Sequence, residues 1–293
     1  NSDSLNKKLR QAAAQKDSQF IFALFDELIH RFDTAGAADT ALAFNERISR
    51  QHQLLQMDDD SFTMRYQNFV LRFMEPVELF KHLYVNFISA GKSPLIVGVN
   101  IVSPEHGEVS MQDYWLHMAM YNYLHRRFPD VKYALHAGEL TSGLVAPEEL
   151  TWHINEAVRF AGASRIGHGV DMAWEKDSRS LLAYMKKEQI AVEINLSSNE
   201  FILGVKEDRH PFSLYYKAGV PITISTDDAG ILRTSITQQY VLLAKRYPFI
   251  PYKAIKAMVY NSIRFSFIEE DKVKTKLIQE LDRRFAAFEK AYQ

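Results

Sequence analysis

The sequence contains no cysteine among its 293 residues. Disulfide bonds and thiolate metal sites are therefore excluded, and imidazole and carboxylate groups remain as the ligands for any metal ion. No apolar run reaches the roughly 18 residues that a membrane-spanning helix needs. Residues 20–28 are one of the longest candidates, and Asp26 and Glu27 interrupt them. Internal repeats, low-complexity stretches and linkers rich in proline and glycine are absent as well.

An excess of charge of either sign is also lacking. The chain carries 35 basic and 36 acidic residues, which gives a net charge of −1 and an isoelectric point near 6.9. This balance argues against a partner held mainly by electrostatic attraction, such as a nucleic acid or a membrane surface. Asn1 is not followed by an apolar signal segment, so we expect a processed or partial product, and the sequence predicts no compartment.

Hydrophobic residues make up 47% of the chain, which is enough for a large core. We predict a single domain over residues 1–293, with a mainly helical part over residues 1–60. In that part, large apolar residues recur at every fourth position from Phe20 to Phe32, the spacing of a helix face that packs on a core. Residues 61–293 are predicted to contain β/α units and C-terminal helices.

Short apolar runs alternate with helical patterns from residue 61 onward. Residues 95–102 form the clearest strand, because a nearly continuous apolar run is typical of a parallel strand buried on both faces. Strand starts recur roughly every 30 residues, as expected when about 250 residues form eight β/α units. Five or six such units are recognisable. The pattern predicts an α/β fold of the parallel barrel type, with extra N-terminal helices and fewer than eight units.

Polar groups directly follow three of the predicted strands. They stand in His136-Ala-Gly-Glu139, in Gly-His168-Gly and in Thr-Asp227-Asp228. The active site of a parallel β/α barrel lies at the carboxyl ends of its strands, so we expect these groups to lie close together. A metal-binding histidine and a carboxylate that transfers protons would then face one pocket.

Each of these groups also has a structural explanation when it is taken alone. A single histidine after a strand is more often hydrogen-bonded within the fold than bound to a metal. Glu139 suits a helix N-terminus, and Asp227 and Asp228 suit the cap of the helix that follows. Their occurrence on successive strand ends favours the functional explanation.

Together the motifs resemble the adenosine deaminase family of metal-dependent (β/α)8 hydrolases, over about residues 65–267. The family has His-Ala-Gly-Glu after its fifth strand, Gly-His-Gly after its sixth and Thr-Asp-Asp after its eighth, and all three occur here in that order. Residues 193–199 resemble the seventh strand, with Asn195 and Leu196 where the family usually has Cys-Pro. The resemblance implies a TIM-type barrel that hydrolytically deaminates adenosine or a related aminopurine with one catalytic Zn²⁺.

The resemblance also implies roles for individual residues. His136 and Asp227 would be the zinc ligands in this chain. Glu139 would protonate the purine ring nitrogen beside the reacting carbon, and His168 would orient the zinc-bound water and help to deprotonate it. The residues implied to contact the substrate are Asp228, which would bind the imidazole part of the purine, Gly138 and Ser103.

The sequence departs from the family pattern in two places. The family has two further zinc ligands in a His-x-His motif near its N-terminus, and this chain contains no His-x-His. We expect that the chain lacks the segment that carries this motif; the alternative is a relative that never binds zinc. After the fourth family strand, Ser103 stands near the expected glycine, so that Ser103 and Glu105 either line the pocket or only form a turn.

The sequence leaves the exact substrate open between adenosine, adenine, a modified adenosine and a nucleotide. No arginine cluster follows the strands, which disfavours a phosphate-bearing substrate, and Arg233 is the one residue that would reverse this preference. A hypothesis of a different class is that the chain is not an enzyme of this kind but a non-catalytic binding or signalling module on a deaminase scaffold. We predict a small-molecule purine nucleoside as the partner, and neither a nucleic acid nor a membrane.

Overall fold

Six parallel strands form the centre of the computed structural model, which describes residues 2–292. The strands are β1 (Tyr66–Leu71), β2 (Ile96–Val102), β3 (Ala134–Ala137), β4 (Arg165–His168), β5 (Ala191–Ile194) and β6 (Ile222–Ile224). β1 pairs with β2, and β3 to β6 pair in chain order. A parallel bridge between Val99 and Tyr133 connects the two groups. The predicted α/β fold with parallel strands is confirmed.

Helices connect the consecutive strands, because parallel neighbours need a crossover connection. The connections contain α4 (Pro76–Ala90), α5 (Glu108–Gln112), α6 (Tyr114–Arg127), a 3₁₀ turn (Pro147–Thr151), α7 (His153–Asn155), a π turn (Glu156–Phe160), α8 (Ser178–Lys187), α9 (Leu196–Leu203), a 3₁₀ turn (Glu207–Arg209) and α10 (Phe212–Ala218). After β6 the chain forms α11 (Ala229–Leu232), α12 (Ile236–Arg246), α13 (Tyr252–Arg264) and α14 (Asp271–Ala291). The predicted alternation of strands and helices is thus present.

Three further helices precede the first strand and pack against α4, and the first two of them also pack against α6. They are α1 (Ser2–Ala14), α2 (Ser18–Thr34) and α3 (Ala37–Leu54). On α2 the predicted apolar face is buried at Leu24, Leu28 and Phe32. Phe20 was wrongly included in that face: it is 47% exposed, and Ile21 is buried instead. The spacing of apolar residues thus predicts the buried face of α2 correctly, except that its N-terminal end is placed one residue too early.

Within residues 2–292 the strands do not close into a barrel, because β1 and β6 are not paired with each other. β1 and β6 are edge strands, and a cavity of about 410 Å³ is lined by Gln67 of β1 and by Thr223 of β6, among others. The N-terminal helices contact α4 and α6, and none of their residues lines this cavity. The described part of the chain therefore forms an incomplete barrel, as the sequence predicted. None of the described helices is both long and apolar enough to cross a membrane.

Candidate active site

Three of the predicted site residues converge at the carboxyl edge of the sheet. His136 lies near the end of β3, His168 ends β4, and Asp227 follows β6. One potential ligand atom of each lies within 4.8 Å of those of the other two. The rings of His136 and His168 have their centroids 4.8 Å apart. The three groups therefore form one cluster, which contains His168 in addition to the two predicted ligands.

The backbone is strained at three of the strand ends. Ser103, His168 and Asp227 have φ angles of 90°, 71° and 54°, in the left-handed region that residues other than glycine seldom adopt. Such conformations cost roughly 1–3 kcal/mol each and cluster at functional sites. At Ser103 the strain explains why glycine is the residue expected from the family pattern. These three strained positions thus lie in the predicted site.

Glu139 follows β3 and points into the same region. Its side chain is 12% exposed, and Oε1 lies 3.4 Å from Nδ1 of His168. Burial and the neighbouring carboxylates of Glu105 and Asp227 raise the pKa of Glu139 to about 8. The carboxyl group therefore holds a proton near neutral pH and can donate it to a bound molecule.

Glu105 anchors the loop that carries Glu139. Its carboxylate accepts hydrogen bonds from the backbone N–H groups of Gly138 (3.1 Å) and Glu139 (2.8 Å) and lies 2.6 Å from Nδ1 of His153. Burial alone would raise the pKa of Glu105, but the hydrogen bond and charge of His153 and the charge of Arg72 outweigh this effect and lower it to about 2. Glu105 is thus a buried, ionised anchor beneath the loop.

Gly138 is fixed by the same contacts. Its N–H donates to Glu105, and its carbonyl accepts from Val170 N–H at 2.7 Å, so both of its backbone polar groups are already paired. Its φ is 72°, and a Cβ added there would lie 2.7 Å from the Ile154 side chain and closer still to Asp171. Gly138 therefore shapes the loop that carries Glu139.

We expect Gly138→Ala to lower the free energy of unfolding by roughly 2–4 kcal/mol, because strain and collision act together. Gly143→Ala is the matched control: its φ is 98°, but no heavy atom lies within 4 Å of an added Cβ. Gly143→Ala should therefore show only the cost of strain, about 1–2 kcal/mol. Urea unfolding of both variants measures the difference. If both variants lost the same free energy of unfolding, the close packing around Gly138 would be contradicted.

Two polar residues hold His136 in place. Arg72 is fully buried and donates from Nη2 to the carbonyl of His136 at 2.8 Å. Oδ1 of Asn100 lies 3.1 Å from Nδ1 of the ring. Burial and the nearby charge of Arg72 lower the pKa of His136, so the ring is neutral and able to bind a metal. The sequence offered a signal for Asn100, the one polar side chain in the otherwise apolar strand β2, but none for Arg72, because β1 contains other polar residues.

The segment after β5 supports the other two members of the cluster. Ser198 donates from Oγ to Oδ2 of Asp227 at 2.7 Å. The side-chain amides of Asn195 and Asn199 lie 3.2 and 2.9 Å from Nδ1 of His168. Burial, the closeness of the His136 ring and the charge of Arg72 lower the pKa of His168 well below its usual value. In the sequence this segment only resembles the seventh family strand, and no role in the site is predicted for these residues.

The remaining predicted residues lie nearer to solvent. Asp228 is exposed and precedes α11, and Ser103 is half-buried at the end of β2. Arg233 is exposed as well, at the end of α11. These positions leave the side chains of Asp228 and Arg233 accessible to a molecule that enters from the carboxyl edge of the sheet.

Comparison with known proteins identifies the family. The family model for adenosine deaminase matches residues 47–284, which include all the site residues described above. The chain belongs to the adenosine deaminase family. The adenosine deaminase of Clostridium acetobutylicum is 31% identical to it over 153 residues, which are 52% of this chain and 42% of that protein. The chain spans about half the length of the curated relatives it matches.

Solved structures of similar fold include deaminases that act on other aminopurines. The N6-methyl-AMP deaminase of Arabidopsis thaliana, solved in its apo form, has a TM-score of 0.56 and 25% identity, and the match covers 75% of this chain and 58% of that one. An amidohydrolase from Burkholderia ambifaria, solved with bound Zn, has a TM-score of 0.58 and 16% identity, with 78% and 58% covered. The second likeness shows the fold alone.

Proposed function

We propose that this chain catalyses the hydrolytic deamination of adenosine or a closely related aminopurine, with a divalent metal ion at His136 and Asp227. The observation that supports this most strongly is the geometry at the strand ends. A cluster of three potential metal ligands lies beside Glu139, whose raised pKa favours the protonated form near neutral pH and whose Oε1 lies 3.4 Å from Nδ1 of His168. Membership of the adenosine deaminase family supports the reaction type.

The residues present fit a catalytic zinc ion in their chemistry. Zinc accepts imidazole nitrogen and carboxylate oxygen in catalytic sites, and a hydrogen-bonded partner on the far ring nitrogen, as Asn100 provides for His136, is typical of zinc-bound histidines. A bound zinc ion supplies a water molecule whose pKa is lowered towards ~7. Two ligands are fewer than the usual three, so we expect zinc to bind weakly and to be required in the assay buffer.

The chain's own residues bind and orient the purine and transfer a proton to it. Glu139 donates its proton to the ring nitrogen beside the reacting carbon, which prevents negative charge from building up on the ring. His168 orients the attacking oxygen, and Asp228 binds the imidazole part of the purine from the exposed side. Ser103 lines the pocket after β2. Gly138 contacts the purine only through its Cα, because its N–H is bound to Glu105.

The rate of deamination is expected to fall as the pH rises through about 8, where Glu139 loses its proton. The raised pKa favours the protonated form, so the active form is fully present below this pH and is lost above it. The dependence of kcat/KM on pH reports the free enzyme and measures this pKa directly. A rate that increases through this range would contradict the role of Glu139 as an acid.

The proposal is tested with a set of substrates and zinc in excess. Ammonia release is measured from adenosine, adenine and AMP, and methylamine release is measured from N6-methyl-AMP. We expect adenosine to be the best substrate, because among the site residues Arg233 alone offers a positive charge to a phosphate at the exposed side. If the chain prefers AMP to adenosine, and if Arg233→Gln reduces this preference, a nucleotide would replace adenosine as the proposed substrate. Failure of all four substrates would contradict the proposed function.

A further inference from the structure

We infer that the two histidines of the site hold their protons on opposite ring nitrogens, so that His136 presents a bare Nε2 and His168 presents an Nε2–H. Both assignments follow from hydrogen-bond chains that begin at backbone amides, whose role as donors is fixed. The consequence for catalysis rests on the proposed function, whereas the proton positions do not.

Asn100 determines the proton position in His136. Its Oδ1 accepts from the backbone N–H groups of Ile101 at 2.8 Å and of His136 at 3.3 Å. Because a backbone N–H can only donate, this atom is the amide oxygen and not the nitrogen. Nδ1 of the His136 ring lies 3.1 Å from the same oxygen and therefore carries the ring proton. Nε2 is left bare, which is the form that binds a metal ion.

A longer relay determines the proton position in His168. The backbone N–H of Phe212 donates to Nδ1 of His210 at 3.1 Å, so the proton of that neutral ring is on Nε2. Nε2 of His210 lies 3.1 Å from Oδ1 of Asn199 and donates to it. The amide NH2 of Asn199 is thereby turned towards Nδ1 of His168, 2.9 Å away. Nδ1 of His168 must accept, and its proton is on Nε2.

Burial makes this relay rigid. The exposed fractions of His168, Asn199 and His210 are 1%, 0% and 2%, so water does not replace the contacts. Burial and the charge of Arg246 lower the pKa of His210 to about 4, which agrees with a neutral ring. Asn195 provides a second amide donor to Nδ1 of His168, at 3.2 Å. Reversing the polarity of the relay would leave several buried groups without partners.

The two proton positions give the histidines different tasks. His136, with a bare Nε2, is a ligand. His168 carries a proton on Nε2, which lies 4.0 Å from Oδ2 of Asp227. That nitrogen cannot bind a metal without losing its proton, so His168 donates a hydrogen bond to the attacking oxygen instead of serving as its base. Asn199 and His210 touch no reacting atom and act as positioning residues.

The test reads the proton positions by NMR on the full chain labelled with ¹⁵N, at neutral pH and without metal or substrate. Protonated and bare ring nitrogens have well-separated ¹⁵N shifts, and His136→Gln and His168→Gln assign the two rings among the ten histidines. We expect the proton on Nδ1 of His136 and on Nε2 of His168. A proton on Nδ1 of His168 would overturn the inference. An inactive chain would not affect this result, so failure of the proposed function is distinguishable.

Asn199→Asp tests the relay itself. Aspartate has the same shape but replaces the NH2 donor with an acceptor, so the proton of His168 should move from Nε2 to Nδ1. His117→Gln is the matched control, because His117 is equally buried on α6 and has no hydrogen bond to the relay. It should leave the shifts of His168 unchanged. A proton that stays on Nε2 of His168 in a folded Asn199→Asp variant would overturn the relay.

Discussion

Replacing Glu139 by glutamine is expected to lower kcat for deamination by about 10²–10⁴-fold, the usual contribution of a positioned general acid. Glu139 is mostly buried, and its pKa is raised to about 8, so it holds a proton that it can transfer near neutral pH. Glutamine has nearly the same size and can still donate a hydrogen bond, but it cannot transfer a proton. Steady-state kinetics of the zinc-supplemented variant measure the loss.

Glu148→Gln is the control for this variant. Glu148 lies on the 3₁₀ turn after the same loop and is exposed, so its substitution should leave kcat unchanged. Zinc affinity should be the same in the wild type and in Glu139→Gln, because Glu139 is not among the clustered ligand atoms. A Glu139→Gln variant that keeps most of the wild-type kcat would show that another group supplies the proton.

Asp227→Asn is expected to abolish zinc binding and, with it, deamination. A neutral amide oxygen is a poor zinc ligand, and the site would keep only His136. The loss of zinc affinity should exceed the roughly 10–100-fold that removal of an outer-shell partner costs. The fold should survive, because Ser198 can donate to the amide oxygen of asparagine as it does to Oδ2 of Asp227. Equilibrium dialysis against a series of zinc concentrations measures the zinc affinity of the variant and of the wild type.

The adjacent carboxylate provides the comparison. Asp228 is exposed and is proposed to bind the purine, so Asp228→Asn should keep the zinc affinity of the wild type. Loss of one charged hydrogen bond, worth about 1.5 kcal/mol, should raise KM for adenosine about tenfold. Equal losses of zinc in both variants would mean that the two carboxylates do not have separate roles.

The sequence predicted those parts of the molecule that depend on local pattern. A nearly continuous apolar run identified β2, since a strand buried on both faces needs apolar residues at every position. His136, His168 and Asp227 could be expected to meet because parallel strands bring their carboxyl ends to one edge, and the structure places them together. Phe20 shows the limit of this reasoning: periodicity defines a helix face, but tertiary packing decides where burial begins.

Contacts between distant parts of the chain could not be predicted. Glu105 and His153 are 48 residues apart, and Arg72 and the carbonyl of His136 are 64 apart. Each residue taken alone resembles an ordinary polar residue in a turn or strand, because nothing nearby in the sequence reports its partner. His210 stands before a helix and gave no signal of its own. Its role becomes visible only when the Phe212 amide and the Asn199 side chain are seen on either side of the ring.

The most direct test of the proposed function gives adenosine to the chain with excess zinc and, in parallel, to the same chain with a chelator. Inosine, ammonia and bound zinc are quantified in each sample. We predict equal amounts of inosine and ammonia with zinc, and neither product with the chelator. One zinc bound per chain without release of ammonia from adenosine would contradict the assignment of this site to adenosine deamination.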